Sequence, residues 1–483
     1  MKNQLTIVEK YPNAQLTGRK NLLHCTEWAM ILLLCGCAVL QGQNSHLTSR
    51  EMERRDIARA ASLYDQGRMQ DAEPLLRKII SQDPRNEAAN EMLGLIYAQQ
   101  GAIERALPHL TRAAEAPSSP ATYHANLGAA LLKLGRPTAA LHELKLASRM
   151  DPGNAETASE LGQAYMLNHN PAEGAKAFAA AASAAPPGPD LLYNWALALF
   201  DAGEPQSATS VLARISSADM SAEADSLAGD IDERLGHFMS AVRHYQSAAA
   251  KDPSEVNLYA LALEFLHHWT WAEARKVATF GTTKYPESKR MHLALGIAEY
   301  GSGQYPQAAA VFSTLLQSDP ENAKYADLLG RSCSRISDSQ NAACGQIIDF
   351  AERHPKNASI CTYAAEQILH QPGSKQDMDV AKRLLKNAIA ADPKLPEAYY
   401  QMGTLYLQER QLEASAEMLK KAIALRPSYA SAHYHLAQVY ARQKEPEKAK
   451  EEIELQKKYN QQETARLDAN LKSVSIFLPA PSK

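Results

Sequence analysis

The chain has 483 residues, 45% of them hydrophobic but only 7% aromatic, and its 51 basic and 54 acidic side chains leave a formal charge of −3. So even a balance excludes a general polyanion binder, and no Lys/Arg stripe interleaved with aromatics marks a nucleic-acid surface. No sustained period-two alternation of apolar residues stands out, so essentially no β-strand is predicted.

The first fifty residues differ from the rest. Arg19 and Lys20 precede an apolar stretch from Trp28 to Leu40, and polar Gln41 follows at once. That stretch is too short to span a bilayer, which takes about 20 residues. A positive flank, a short apolar core and a polar exit resemble a secretory signal peptide. A short buried helix and an uncleaved anchor are the alternatives. Leu34-Cys35-Gly36-Cys37 also resembles a bacterial lipobox, with Cys35 where Ala, Ser, Thr or Val is preferred. That resemblance implies lipidation at Cys37, as against ordinary cleavage near Gly42. Residues 1–42 thus read as a leader, and 43–52 as a linker.

Beyond the linker, small residues recur. Ala60, Gly94, Gly128, Gly162, Ala196, Gly229, Ala262, Gly296, Gly330, Ala365, Gly403 and Ala437 follow one another at intervals that are mostly 33 or 34 residues. A fixed period in this range predicts a solenoid in which each unit packs on its neighbours. A second ladder, from Ala72 and Ala106 to Ser415 and Ala449, lies 12 residues further on in most units. One ladder is assigned to a first helix and the other to a second helix antiparallel to it. Leu93, Ile96 and Tyr97, then Leu107 and Leu110, flank these contacts at helical spacing. Gly67, Gly101, Gly135, Gly203, Gly236 and Gly303 mark turns between helices, and prolines such as Pro84, Pro152 and Pro427 close units.

This pattern resembles the tetratricopeptide repeat. Leu93, Gly94, Tyr97, Gly101, Ala106 and Ala113 match its signature, as do Leu161, Gly162 and Tyr165, and then Met402, Gly403, Tyr406, Ala422 and Pro427. The resemblance covers about residues 53–463, or twelve units. It implies an all-α, right-handed superhelical solenoid of antiparallel helix pairs. Residues 464–483 read as the end of a capping helix and a disordered tail. Within the array, Gln371 to Asp377 reads as a lengthened inter-helix loop, because Pro372 and Gly373 break a helix. The Lys- and Glu-rich stretch from Pro446 to Leu471 reads as a solvating cap.

No His-Glu-x-x-His, Gly-x-Ser-x-Gly or phosphate-loop motif occurs, and no cofactor or metal site is expected. Gly301-Ser302-Gly303 reads as an inter-helix turn, and His267-His268-Trp269 as packing and surface residues. Cys333 falls late in a first helix and Cys344 early in the second helix of the same pair. Such positions can come within disulfide reach, and an exported chain allows the bond. The alternative is that Cys333, Cys344 and Cys361 are buried small residues.

With no catalytic constellation, function falls to a surface. With the small residue counted as position 8, helical geometry and the family resemblance put positions 2, 5, 9, 12 and 13 of each first helix on a concave face. In the middle units these include Met166, Tyr193, Leu197 and Phe200, then Tyr259, Leu263 and Leu266, then Leu293, Ile297 and Tyr300. So apolar a lining suggests a groove for an apolar or helical segment of a protein partner. The alternative is that tight curvature buries these residues against one another. Arg290, Lys324, Arg331 and Arg335 extend the same face as a basic stretch, either to meet an acidic flank of the ligand or as a solvated face. A carboxylate clamp is not assembled, since Asn126 and Lys133 are flanked by Glu160 and Leu167 at the matching places.

The sequence therefore predicts an exported, non-enzymatic protein–protein scaffold of the bacterial cell envelope. It would be periplasmic or membrane-anchored, with no nucleic-acid partner and membrane contact only through the leader. The alternative is an accessory subunit for polysaccharide synthesis or export, or for outer-membrane assembly.

Overall fold

The computed structural model describes residues 49–336, 342–370 and 374–474. Among them the fold is all-helical, with no strand. The leader, Cys37 included, lies outside the described residues. The chain divides between His237 and Phe238 into two compact units.

The first unit holds α1 (Ser49–Asp65), α2 (Met69–Gln82), α3 (Glu87–Gln99), α4 (Ile103–Ala114), α5 (Ala121–Lys133), α6 (Pro137–Met150), α7 (Ala155–Leu167), α8 (Pro171–Ala184), α9 (Pro189–Asp201), α10 (Pro205–Leu212) and α11 (Ala222–Leu235). The second holds α12 (Phe238–Lys251), α13 (Glu255–His267), α14 (Trp271–Lys284), α15 (Lys289–Gly301), α16 (Tyr305–Ser318), α17 (Ala323–Cys333), a 3-10 turn (Ala342–Gly345), α18 (Gln346–Arg353), α19 (Ala358–Leu369), α20 (Lys375–Ala391), α21 (Pro396–Gln408), α22 (Leu412–Leu425), α23 (Ala430–Arg442) and α24 (Pro446–Val474). Helix α1 starts inside the stretch read as a linker.

Each pair is built by the same local chemistry. Many first helices start at a side-chain cap: Asn86 accepts from the Ala89 N–H at 2.9 Å, Asn154 from Thr157 at 2.9 Å and Ser288 from Met291 at 3.2 Å. Most first helices end in a left-handed residue followed by a bond back across the last turn. The Ala102 N–H reaches the Tyr97 carbonyl at 2.9 Å, and Gln411 reaches Tyr406 at 2.8 Å. Glycine holds the left-handed place at Gly101 and Gly303, but His169, Trp269, Arg410 and Lys444 adopt it in other repeats, with φ between 57° and 63°. The turn is thus set by register, with or without glycine.

The small-residue ladder is a row of sockets. A Cβ built on Gly94 would lie 2.7 Å from the Leu110 side chain, and one on Gly128 would lie 2.5 Å from Leu144. Gly162 and Gly296 receive Phe178 and Phe312 in the same way. The first ladder is therefore covered by large residues of the second helix, one turn beyond the second ladder. The second ladder rests on the first helix's backbone: the Ser415 hydroxyl donates to the Gly403 carbonyl at 2.7 Å.

One repeat departs from this scheme. After α17 the second helix is cut to eight residues, as α10 also is, but here a 3-10 turn precedes it. Cys344 lies in that turn and is joined by a disulfide to Cys333, with Cα atoms 5.8 Å apart. The Gly330 socket is filled by Tyr363 from the next first helix, 2.3 Å from an added Cβ. The following repeat differs from expectation. Its loop residues 371–373 lie outside the described set, but Lys375, Gln376 and Asp377 are helical. The additional residues lengthen α20 to 17 residues, started by a capping box between Ser374 and Asp377.

Candidate partner-binding surface

The ten apolar residues read as a groove lining are all buried. In the first unit Met166, Tyr193, Leu197 and Phe200 belong to one hydrophobic cluster with Phe178 and Ala196. In the second, Tyr259, Leu263, Leu266, Leu293, Ile297 and Tyr300 share a cluster, and Leu266 and Ile297 are 0% exposed. The physical reason is that a first helix packs against two neighbours, its own second helix and the next first helix. Two of its faces are dry, so apolar residues on the second face are core. Leu266 and Ile297 have no accessible surface, and the other eight keep at most 9% of theirs, too little to anchor a partner in this conformation.

The basic stretch beside them is largely compensated within the fold. The Arg290 guanidinium pairs with Glu255 at 2.8 Å and stands 5.4 Å over the Tyr259 ring. Arg331 pairs with Asp327 at 2.7 Å. Arg335 acts on the Tyr300 hydroxyl, whose pKa is raised by burial against the lowering pull of Arg335. Lys324 is exposed. Beyond these, the Ser334 hydroxyl donates to Glu366 at 2.5 Å, and burial raises the Glu366 pKa. In the first unit Asn126 donates to Glu91 at 2.5 Å, while Lys133 is exposed.

Two clefts open in the second unit. One, of about 710 Å³, lies by the ends of α18 and the start of α19, where Arg353 pairs with Glu321, and His354 lies 3.0 Å from the same carboxylate. The other, of about 620 Å³, lies between the first helices of the last two pairs. Thr404, Leu407 and Gln408 come from α21, His435, Gln438 and Arg442 from α23, and Arg410 and Leu412 from the turn and the start of α22. His435 lies 3.0 Å from the Ser431 carbonyl and 3.2 Å from the Tyr400 hydroxyl, both through Nδ1. Burial first, and then Arg442, lowers its pKa, so the ring is neutral near pH 7. The cleft therefore offers two guanidinium groups and the Gln438 amide against an aliphatic wall, with the Thr404 hydroxyl donating to the Gln401 carbonyl at 2.8 Å and the Gln408 amide to the Leu369 carbonyl at 3.3 Å.

Tetratricopeptide-repeat models match residues 57–120, 125–189, 259–323 and 430–463, and a related repeat model matches 403–444. The chain belongs to the tetratricopeptide-repeat family. Among solved structures, the APC/C hetero-tetramer Cut9–Hcn1 is similar over 89% of this chain and 96% of that one, at 14% identity and a TM-score of 0.37. Naa15/Naa10 bound to HypK is similar over 84% and 68%, at 16% and 0.35. PilF of Pseudomonas aeruginosa is similar over 43% and 95%, at 18% and 0.36. Likenesses this remote say nothing of the partner. No curated protein matches the chain.

Within the tetratricopeptide-repeat register, Thr404 and Gln438 occupy position 9, Leu407 position 12, and Gln408 and Arg442 position 13. The rule that selected residues in the middle repeats also selects these. Sequence reasoning missed them because it followed apolar side chains, whereas the accessible part of this face is polar. Among the described residues, no helix is long and apolar enough to cross a membrane.

Proposed function

We propose that this tetratricopeptide-repeat protein is a non-enzymatic scaffold of the bacterial cell envelope. It holds a segment of a protein partner along the first-helix faces of its repeats. One observation carries the scaffold reading. The large apolar residues of the middle first helices are consumed by packing, and an open polar cleft remains on the same register in the last two repeats. A surface of amides, hydroxyls and guanidinium groups holds an extended segment by hydrogen bonds. Two features support an envelope location: the charge-then-apolar pattern of residues 19–40, and the Cys333–Cys344 disulfide, a bond that persists in oxidising compartments.

Two measurements test the proposal. A photo-crosslinking residue at Gln438 should capture a partner in intact bacterial cells, while the same residue at exposed Lys386 on α20 should not. Capture from Lys386 alone would move the contact to the second helices. Fractionation of cells expressing the full chain should recover it in the envelope, and Cys37→Ser should distinguish lipid anchoring from ordinary cleavage. Full recovery in the cytoplasm with an intact N-terminus would overturn the envelope assignment.

A further inference from the structure

Arginines are rarely left without company in the second unit. Arg275, Arg290, Arg331, Arg353, Arg383 and Arg426 each meet a carboxylate. Arg243 donates to Ser240 at 2.8 Å, and Arg335 acts on Tyr300. Among this unit's arginines up to Arg442, those whose side chains have no ion pair, hydrogen bond or ring contact are Arg410 and Arg442, and both line the 620 Å³ cleft. Nearby carboxylates do not compensate them. Glu409, next to Arg410 in sequence, is taken by Lys382 at 3.1 Å, and Glu445 is taken by Lys448.

Position adds to the argument. Arg410 sits at the left-handed turn residue, φ 60°, a place held by glycine in some repeats and by His169, Trp269 and Lys444 in others. Arg442 is the last residue of α23, one repeat further on. The two guanidinium groups thus approach one cleft from different repeats. Between them, Gln408, Gln438 and Thr404 supply neutral polar atoms, and Leu407 and Leu412 an aliphatic wall.

We infer that this cleft binds the side-chain carboxylates of an acidic segment of a partner protein, one whose Asp or Glu residues flank an aliphatic residue. The inference rests on the scaffold reading above and adds the partner's chemistry. Guanidinium forks match carboxylates in two-point geometry. The two uncompensated positive charges are complementary to an acidic chain, and the aliphatic wall takes the intervening residue. His435 lies 3.0 Å from the Ser431 carbonyl through Nδ1, which therefore donates, so its Nε2 is an acceptor and serves a backbone N–H of the segment and not a carboxylate.

The test uses the purified full chain and fluorescent peptides with blocked ends: one with Glu residues around a Leu, one with Gln in their place, and one with Lys. The Glu peptide should bind at least about tenfold more tightly than the Gln peptide, since each charge-assisted hydrogen bond is worth roughly a factor of ten or more. R410Q combined with R442Q should abolish that preference. R353Q combined with R383Q, which removes two arginines outside the cleft, should leave it intact. Equal binding of the Glu and Lys peptides, or an unchanged preference in the R410Q/R442Q protein, would overturn the inference. So would binding that requires an unblocked C-terminal carboxylate. The scaffold reading fails separately: if the peptides do not bind but Gln438 still crosslinks to a partner in cells, only the acidic-segment inference falls. If neither occurs, both fall.

Discussion

At the scale of single residues, Glu91 shows what the inner face of a repeat does to a charge. It is 4% exposed, and of its two carboxylate oxygens one accepts from Asn126 and the other has no partner. Burial pushes its pKa up to about 8, against the lowering effect of the Asn126 hydrogen bond. The folded chain then keeps a proton that the unfolded chain gives up near pH 4.5. No cost arises below that value. Between pH 4.5 and 8 the unfolded state gains progressively, so this residue lowers stability as pH rises. Glu91→Gln should therefore raise the melting temperature at pH 8 and leave it nearly unchanged at pH 4.5, with the gain reaching a few kcal/mol at about 1.4 kcal/mol per pKa unit. Thermal melts of both proteins at the two pH values check this, and an equal change at both would show that Glu91 is ionised in the fold. Arg290 teaches a related lesson. Its partner Glu255 lies one repeat back, 35 residues away. A basic residue on a repeat face is uncompensated only if the matching place in the preceding repeat is not acidic.

At the scale of elements, the small-residue period located the helix pairs, and the turn residues located their ends. Those signals were legible because they are local: a left-handed turn followed by a cap reads the same in every repeat. Packing partners were less legible. The sequence shows that Gly128 must be small but not what covers it, and the Leu144 side chain 2.5 Å from an added Cβ is a property of the paired helix. Gly128→Ala should cost about 1–3 kcal/mol by overpacking, measured by denaturant unfolding. Gly345→Ala, where an added Cβ meets nothing within 4 Å, should be nearly neutral. Equal costs would mean that the sockets yield freely. The apolar face of Tyr259, Leu266 and Tyr300 was misleading for a similar reason. Period 3.6 marks a face as apolar but does not count how many neighbours cover it, and a first helix has two. The polar cleft carried no periodic signal. It emerges only when Gln408 and Arg442, 34 residues apart, are seen across one gap.

At the scale of the molecule, each unit is held by clusters that involve neighbouring helices. In the second unit a small cluster around Leu419, Leu436, Val439 and Tyr440 ends the array. Nearest-neighbour stabilisation makes the last helix a special case, because it has a partner on one side only. Helix α24 covers α23, and Glu452 lies 2.5 Å from His433, a residue 3% exposed. Removal of residues 446–483 should uncover Leu436 and Tyr440, leave His433 Nδ1 without Glu452, and yield protein that aggregates or binds a hydrophobic dye in proportion. A truncated chain as soluble and as stable as the whole would show that α23 caps itself.

The disulfide has a consequence of timing. Cys333 and Cys344 are 0% and 5% exposed once packed, and Cys361 is buried with its thiol pKa pushed up to about 11 by that burial. An oxidant must therefore reach the pair before the repeat closes. In a chain that crosses a membrane N-terminus first, Cys333 and Cys344 emerge 11 residues apart, while Cys361 and the six helices after α18 are still to come. The first two thiols to meet an oxidising compartment beyond the leader are then the correct two. Under the proposed export, order of emergence would select the pairing, with the third cysteine arriving after the choice has been made.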